Sequence, residues 1–244
     1  KNRVDKLANV EKDIAGGLFV GHSLNSIYGY VVDGFFNSQE EIDNYAKQPR
    51  TAKPGDLKLV DISGPDGVPD GIVNADYDRQ IIGTQFPKFN FGFNINAQYK
   101  NVDFLLNMNG VGGMDRFVGG EESYQGNAFY RGSNPQEWMI KGRWTEDNHD
   151  ATYPRLLVVG GGEQQFYKST YRVINASFFR INDIQIGYTF PSAMIQSLGM
   201  SNLRVYASVK NLATFHNFLE GWDPERTSMY PAVRDFMAGI SVTF

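Results

Sequence analysis

The segment FNFGFNINAQY, residues 89–99, constrains this chain more than any other. Phe89, Phe91, Phe93, Ile95, Ala97 and Tyr99 fall on one side of an extended backbone. Asn90, Gly92, Asn94, Asn96 and Gln98 fall on the other. A period of two predicts a β-strand with one apolar face. Its length matches the ~9–11 residues of a tilted membrane-crossing strand, whereas a sandwich strand is nearer ~5–6.

Four more segments follow the same rule. After a short turn near Lys100 to Asp103, Phe104, Leu106 and Met108 alternate with Leu105, Asn107 and Asn109. In RINDIQIGYTF, Ile184, Ile186, Tyr188 and Phe190 oppose Asp183, Gln185, Gly187 and Thr189. Upstream, Phe179 and Ile181 carry the opposite parity, which predicts a bulge between them and Ile184. LRVYASVKN places Leu203, Val205, Ala207 and Val209 outward and Arg204, Tyr206, Ser208 and Lys210 inward. DFMAGISVTF places Phe236, Ala238, Ile240, Val242 and Phe244 on one face. Between Phe190 and Leu203, Pro191 suits a helix start and Gly199 a helix end. Asn134-Pro135-Gln136-Glu137 predicts another short helix through about Lys141 that presents Trp138 and Ile140.

The connections alternate between short and long. They are short after Tyr99 and Phe190, and long after Met108 and Asn211. Outer-membrane barrels have this asymmetry, with short periplasmic turns and long extracellular loops. Residues 37–87 and 111–177, rich in Gly, Asn, Pro, Asp and Tyr, read as long irregular loops.

Composition removes other classes. Mean hydropathy is -0.38, and there is no apolar run near the ~18–20 residues of a spanning helix. That excludes a helical membrane protein and leaves a β-barrel open. The net charge of -4, with no dense Lys/Arg cluster, argues against nucleic-acid binding. The absence of Cys removes disulfides, Cys-type zinc sites and thiol nucleophiles. His22, His149 and His216 share no metal spacing. No G-x-S-x-G, H-E-x-x-H or P-loop occurs, so no enzyme is expected.

In order along the chain stand SIYGYVVDGFF (26–36), GDLKLVDISGPDG (55–67), DRQIIGTQFPKFNFGF (78–93), GRWTEDN (142–148), FFRINDIQIGYTFP (178–191), LRVYASVKNLATF (203–215) and the Phe-terminated last strand. This series resembles the C-terminal portion of the SusC/RagA family of TonB-dependent outer-membrane transporters, over nearly the whole chain. The resemblance implies an all-β fold, an antiparallel transmembrane β-barrel of ~22 strands. Residues 1–244 would supply its C-terminal strands, long extracellular loops and short helical turns. It further implies a plug domain and TonB box upstream of Lys1, with Phe244 a true end. It implies the outer membrane of Gram-negative, Bacteroidota-type bacteria. The implied partners are a SusD-like lipoprotein lid, TonB, the rest of its own barrel and outer-membrane lipid. The implied cargo is an oligosaccharide or oligopeptide. A secreted or surface β-sandwich that binds carbohydrate is the alternative, and a glycan-degrading enzyme a third.

Three candidate sites follow. Asp61, Ser63, Asp66 and Asp70, with Asp76 and Asp78 nearby, crowd a Gly-rich loop of the kind that ligates Ca²⁺. The family often carries a D-x-N-G-D-G-like run here; Ser63 replaces its Asn, Pro65 is inserted, and no Glu stands at an EF-hand's twelfth position. A solvated turn with Asx capping reads the same residues. Gly239, Val242 and Phe244 fit the spacing of the outer-membrane assembly signal, with Met237 where a polar residue is usual. An ordinary edge strand is the other reading. Tyr124, Phe129, Tyr130, Trp138, Trp144 and Trp222 are loop aromatics suited either to stacking on cargo or to anchoring the loops. None of them is assigned as a ligand residue.

Overall fold

The computed structural model describes residues 2–8, 10–119, 137–156, 167–219, 221–225 and 232–244. The chain divides into two compact units: residues 1–86 with 115–174, and residues 87–114 with 175–244.

The first unit is built from short elements. They are β1 (Lys12–Asp13), β2 (Leu18–Phe19), β3 (Ser26–Tyr30), β4 (Val32–Phe35), α1 (Gln39–Asp43), β5 (Leu57–Leu59) and β6 (Arg79–Thr84). The second unit opens with β7 (Phe89–Tyr99) and β8 (Val102–Gly112). The first then resumes with β9 (Asp115–Phe117), α2 (Glu137–Gly142) and β10 (Val173–Asn175). The second closes with β11 (Phe178–Thr189), α3 (Ser192–Ile195), β12 (Asn202–His216) and β13 (Asp235–Thr243).

Among their described residues, the two long loops expected as irregular carry short elements, α1, β5 and β6 in the first and β9, α2 and β10 in the second. Tyr30, Leu57, Leu59 and Val73 form a buried cluster in the first unit, packed by Val32, Phe35, Ala46, Tyr167 and Tyr171. These apolar residues come from short runs far apart in sequence, so no periodicity announced them. Helix α1 is nucleated locally. The Ser38 side chain accepts from Glu41 N–H at 3.1 Å, and Glu41 Oε2 accepts from Asn37 N–H at 2.7 Å, which satisfies two donors at the helix start. Arg155 closes the unit on Asp56, Nε to Oδ1 at 2.6 Å. The expected helix start at Asn134–Gln136 lies outside the described residues, and the helix itself is Glu137–Gly142.

The second unit is one antiparallel sheet of five strands in the order β13-β12-β11-β8-β7. β7 and β8 join through a two-residue turn, Tyr99 opposite Val102, with Lys100 left-handed at φ 53°. β11 reaches β12 through α3 and a following 3-10 turn that ends at Gly199, φ 71°, the conformation for which glycine is preferred. Pro191 stands one position earlier than expected, as the N-cap. The parity change is a real bulge at Asn182, and Asn182 Nδ2 donates to Asn109 Oδ1 at 2.9 Å. Strand β12 does not stop at Asn211, where a long loop was expected. It continues to His216 through an irregularity at Asn211, whose φ of 52° lets the backbone turn locally without ending the strand.

Candidate functional site

The register sorts the five strands into two chemically opposite faces. Residues directly opposed across an antiparallel pair share a face. One row runs Ile95, Leu106, Ile184, Val209 and Phe236; the next runs Ala97, Phe104, Ile186, Ala207 and Ala238. Toward the Lys100 turn lie Tyr99, Val102, Tyr188, Val205 and Ile240. Toward the other end lie Phe93, Met108, Ile181 and Ala213, then Phe91, Gly110, Phe179 and Phe215. No charged residue interrupts these rows. The face is open: Phe93 is 56% exposed, Ile186 55% and Ile240 70%. Within the second unit the strands form a single sheet, with no second sheet packed on this face as in a β-sandwich. Eleven residues in β7 extend about 36 Å, which at the usual barrel tilt crosses roughly 27 Å.

Aromatic rings gather at both ends of this face. Phe91 and Phe179 stack at 6.2 Å and 12°, and Phe179 and Phe215 at 6.1 Å and 21°. Gly110 sits between Phe91 and Phe179 in the register, and a Cβ there would lie 2.5 Å from Phe91 Cζ. At the opposite end Tyr99 is exposed, with Lys100 Nζ 5.3 Å from its ring centre, and Tyr188 meets Phe190 edge-on at 5.0 Å.

The other face is mostly polar, with Leu105, Val111, Phe178, Tyr206 and Met237 among its members. It carries Asn90, Asn94, Asn96 and Gln98 from β7 and Asp103, Asn107 and Asn109 from β8. Gln185 comes from β11, Arg204, Ser208 and Lys210 from β12, and Ser241 and Thr243 from β13. Arg204 grips Asp103 with two hydrogen bonds, Nε to Oδ2 at 2.9 Å and Nη2 to Oδ1 at 2.6 Å. The two residues belong to β12 and β8, so the bridge passes over β11. It crosses at Gly187, where a Cβ would fall against Asp103 Oδ2 and 2.5 Å from Arg204 Nη2. Arg180, 8% exposed, binds Thr214 Oγ1 at 3.0 Å, Asp223 Oδ2 at 2.7 Å and Glu225 Oε2 at 2.7 Å. It ties the segment after β12 onto this face with paired rather than isolated charge.

The acidic loop is held by its own backbone. Asp78 is fully buried; its Oδ1 accepts from Ile62 and Ser63 N–H at 2.8 and 3.1 Å, and its Oδ2 from Asn74 N–H at 2.7 Å. Asp61 Oδ2 accepts from Gly71 N–H at 2.6 Å, and Asp70 Oδ1 from Ile72 N–H at 3.0 Å. Asp66 is exposed on a turn closed by Gly67 N–H to Gly64 O. Among the described residues, no three His, Asp or Glu side chains come together as a metal-holding group. Asp61 Oδ1 is buried with no hydrogen-bond partner. The residues thus fit a cation in part: one orphaned oxygen, without a gathered ligand set.

Gly239 lies opposite Tyr206, whose ring occupies the space a Cβ would take at 2.5 Å. Val242 pairs with Leu203 on the apolar face, and Phe244 is 85% exposed. Trp144 is a packing residue. It is 7% exposed, donates from Nε1 to Asn37 Oδ1 at 2.9 Å and stacks on His149 at 5.7 Å. Trp222 is half-buried. Tyr124, Phe129 and Tyr130, and the side chain of Trp138, lie outside the described residues. Gly187 and Arg180 are the site residues that sequence reasoning missed. Their roles depend on cross-strand register, and only the neighbouring alternation hinted at them.

No protein-family model matches the chain. Curated relatives do. The chain is 27% identical over 242 residues to TonB-dependent receptor P3 of Formosa agariphila, covering 92% of this chain and 22% of that protein. It is 26% identical over 223 residues to TonB-dependent receptor SusC of Bacteroides thetaiotaomicron, covering 88% and 20%. The chain therefore spans about a fifth of the length of these relatives. Among solved structures it superposes on the RagAB peptide importer in the 'closed-closed' state with a TM-score of 0.69 at 21% identity, covering 99% of this chain and 26% of that one. The RagAB peptide transporter matches with a TM-score of 0.67. The chain is a relative of the TonB-dependent receptors, SusC among them.

Proposed function

We propose that this chain is the C-terminal barrel portion of a TonB-dependent transporter in the outer membrane of a Bacteroidota-type bacterium. It would import oligosaccharides or oligopeptides beneath a SusD-like lipoprotein lid. The observation that carries this reading is the uninterrupted, exposed apolar face of the second unit, backed by a mostly polar face on which Arg180 and Arg204 are paired with carboxylates. Lipid accepts the first and a water-filled lumen the second. Five strands leave β7 and β13 with unpaired edges, and in a bilayer those edges need strands from the rest of the barrel. Relatives named TonB-dependent receptor, and the structural likeness to a peptide importer, support the same reading.

The test is made on the intact transporter in its native host. Deleting the gene should abolish uptake of the labelled cargo class, either oligosaccharide or oligopeptide, and the protein should fractionate with outer membranes. Uptake unchanged for both classes, or recovery in the soluble fraction, refutes the proposal.

Two narrower parts of the proposal have their own tests. Gly239, Val242 and Phe244 would act as the assembly signal, so deletion of Phe244 should lower outer-membrane insertion; unchanged insertion counts against this. A Ca²⁺ at Asp61, Ser63, Asp66 and Asp70 is supported by the orphaned Asp61 Oδ1. Calcium titration of the intact transporter should detect a site that is lost on Asp66→Ala.

A further inference from the structure

We propose that a groove at one rim of the sheet is a bound-lipid site that holds an acyl chain of the surrounding membrane. This rests on the transmembrane reading above and goes beyond it, because a bound chain differs from the exchanging lipid around a barrel. The groove lies where β7 begins, β8 ends, β11 begins and β12 ends, away from the Lys100–Asn101 turn. Its volume is about 520 Å³.

The walls are aromatic. Phe89 and Phe91 stand on one side and Phe215 on the other. Stacking fixes these rings: Phe89 on Phe91 at 6.2 Å, and Phe91 through Phe179 to Phe215 at 6.2 and 6.1 Å. Gly112 lines the groove and lets the Phe89 ring lie against the strand, in the space a Cβ would take. Flat, rigid rings offer dispersion contacts to an extended hydrocarbon.

No Asp, Glu, Lys or Arg lines the groove among the described residues. Its polar side chains are Asn175, Ser177, His216 and Asn217. Three of them are partly engaged: Asn175 Oδ1 accepts from Ser177 N–H at 2.8 Å, Ser177 Oγ accepts from Gly113 N–H at 3.0 Å, and His216 Nδ1 accepts from Phe218 N–H at 3.1 Å. An anion would meet no Lys or Arg here. Phe91 and Phe215 belong to the same apolar face that meets lipid along the rest of the strands, so a chain can enter sideways from the bilayer along their rings. The occupant follows from this continuity.

The experiment uses the intact transporter reconstituted in bilayers of phosphatidylcholine with brominated acyl chains, which quench tryptophan on contact. Phe215→Trp reports the groove and Ile95→Trp reports the open apolar face, each read as a difference from the parent protein. Both should be quenched in the bilayer. After dilution into bromine-free detergent, Phe215→Trp should keep most of its quenching and recover several-fold more slowly than Ile95→Trp. Phe89→Ala, which removes one wall, should abolish that retention while Ile95→Trp in the same background stays quenched in the bilayer and so reports correct insertion. Equal recovery at the two positions overturns the proposal, as does retention that survives Phe89→Ala. Quenching at Ile95→Trp without quenching at Phe215→Trp means that protein covers the groove, and also overturns it. Absence of quenching at Ile95→Trp refutes the transmembrane reading itself.

Discussion

Gly187→Ala tests whether the bridge between Asp103 and Arg204 depends on a missing side chain in the strand between them. The new Cβ would lie 2.5 Å from Arg204 Nη2. Ordinary contact is roughly 3.5 Å, so the pair must move by about 1 Å. Its hydrogen bonds, 2.9 and 2.6 Å long, would then stretch to or beyond the limit of a useful bond. The Arg204 and Asp103 side chains are 26% and 32% exposed, so water screens them in part. Screened pairs contribute ~0.2–1 kcal/mol, and two-point geometry favours the upper end, so the coupling should be about 1 kcal/mol. The assay is a double-mutant cycle, Asp103→Ala against Arg204→Ala. Urea unfolding of the intact barrel is followed by its gel mobility, with Gly187 present and in the Gly187→Ala background. The coupling should be present in the first cycle and near zero in the second. A coupling equal in both backgrounds would refute the claim that Gly187 makes room for the bridge.

Other outcomes follow from named contacts. Arg180→Met leaves Asp223, 8% exposed in its side chain, without its cation, and should lower stability by about 3–5 kcal/mol in the same urea assay; Arg180→Lys should recover part of this. Ile186→Lys, on the apolar face, should cost about 2–4 kcal/mol and reduce the folded band in outer-membrane fractions, whereas Ser208→Lys on the polar face should be tolerated. Asp78→Ala removes an acceptor of three backbone N–H groups and should open the 61–78 loop to protease in the intact protein. Lys58 bonds Glu41 at 2.8 Å and approaches Asp33 at 3.5 Å. For Glu41, burial works to raise the pKa, but the Asn37 N–H and Lys58 outweigh it and the net shift is downward from 4.5. For Lys58, burial works to lower the pKa, but Glu41 and Asp33 outweigh it and the net shift is upward from 10.5. The Glu41 contribution is present above its unfolded pKa and lost as pH falls through the folded one. The Lys58 contribution is present below its unfolded pKa and lost as pH rises through the folded one. Resistance of the 39–58 region to protease should therefore hold from about pH 5 to 10 and fall on both sides, and Lys58→Met should remove the alkaline fall while the Asn37 N–H preserves part of the acid one.

What could be read in the sequence was whatever follows from alternation along one strand. Phe89 to Tyr99 announced its own faces, and the parity break between Ile181 and Ile184 located the bulge at Asn182. Features that depend on the neighbouring strand were hidden. Gly187 looks like any strand glycine until Asp103 and Arg204 are seen to meet above it. Asn211 looked like the end of β12 because a polar residue breaks the pattern, yet hydrogen bonding resumes beyond it. Leu57, Leu59 and Val73 sit in stretches too short and too rich in turn residues to signal a core, and only packing joins them. The acidic loop showed its composition but not that backbone N–H groups take up both oxygens of Asp78 and one each of Asp61 and Asp70.

The irregularity around Asn182 and Asn211 has a geometric consequence. Between the row through Leu106, Ile184 and Val209 and the row through Met108, Ile181 and Ala213, β8 advances two residues, β11 three and β12 four. An otherwise periodic hydrogen-bond lattice here contains a dislocation, one residue deeper at each successive strand. Slipping a regular strand by two residues keeps every side chain on its own face and so meets little resistance. Slipping β11 or β12 would drag the dislocation out of line with its neighbour and break bonds on both sides. The defect therefore works as a pin: it fixes which residues stand at which depth, through backbone pairing to which the Asn182–Asn109 hydrogen bond adds.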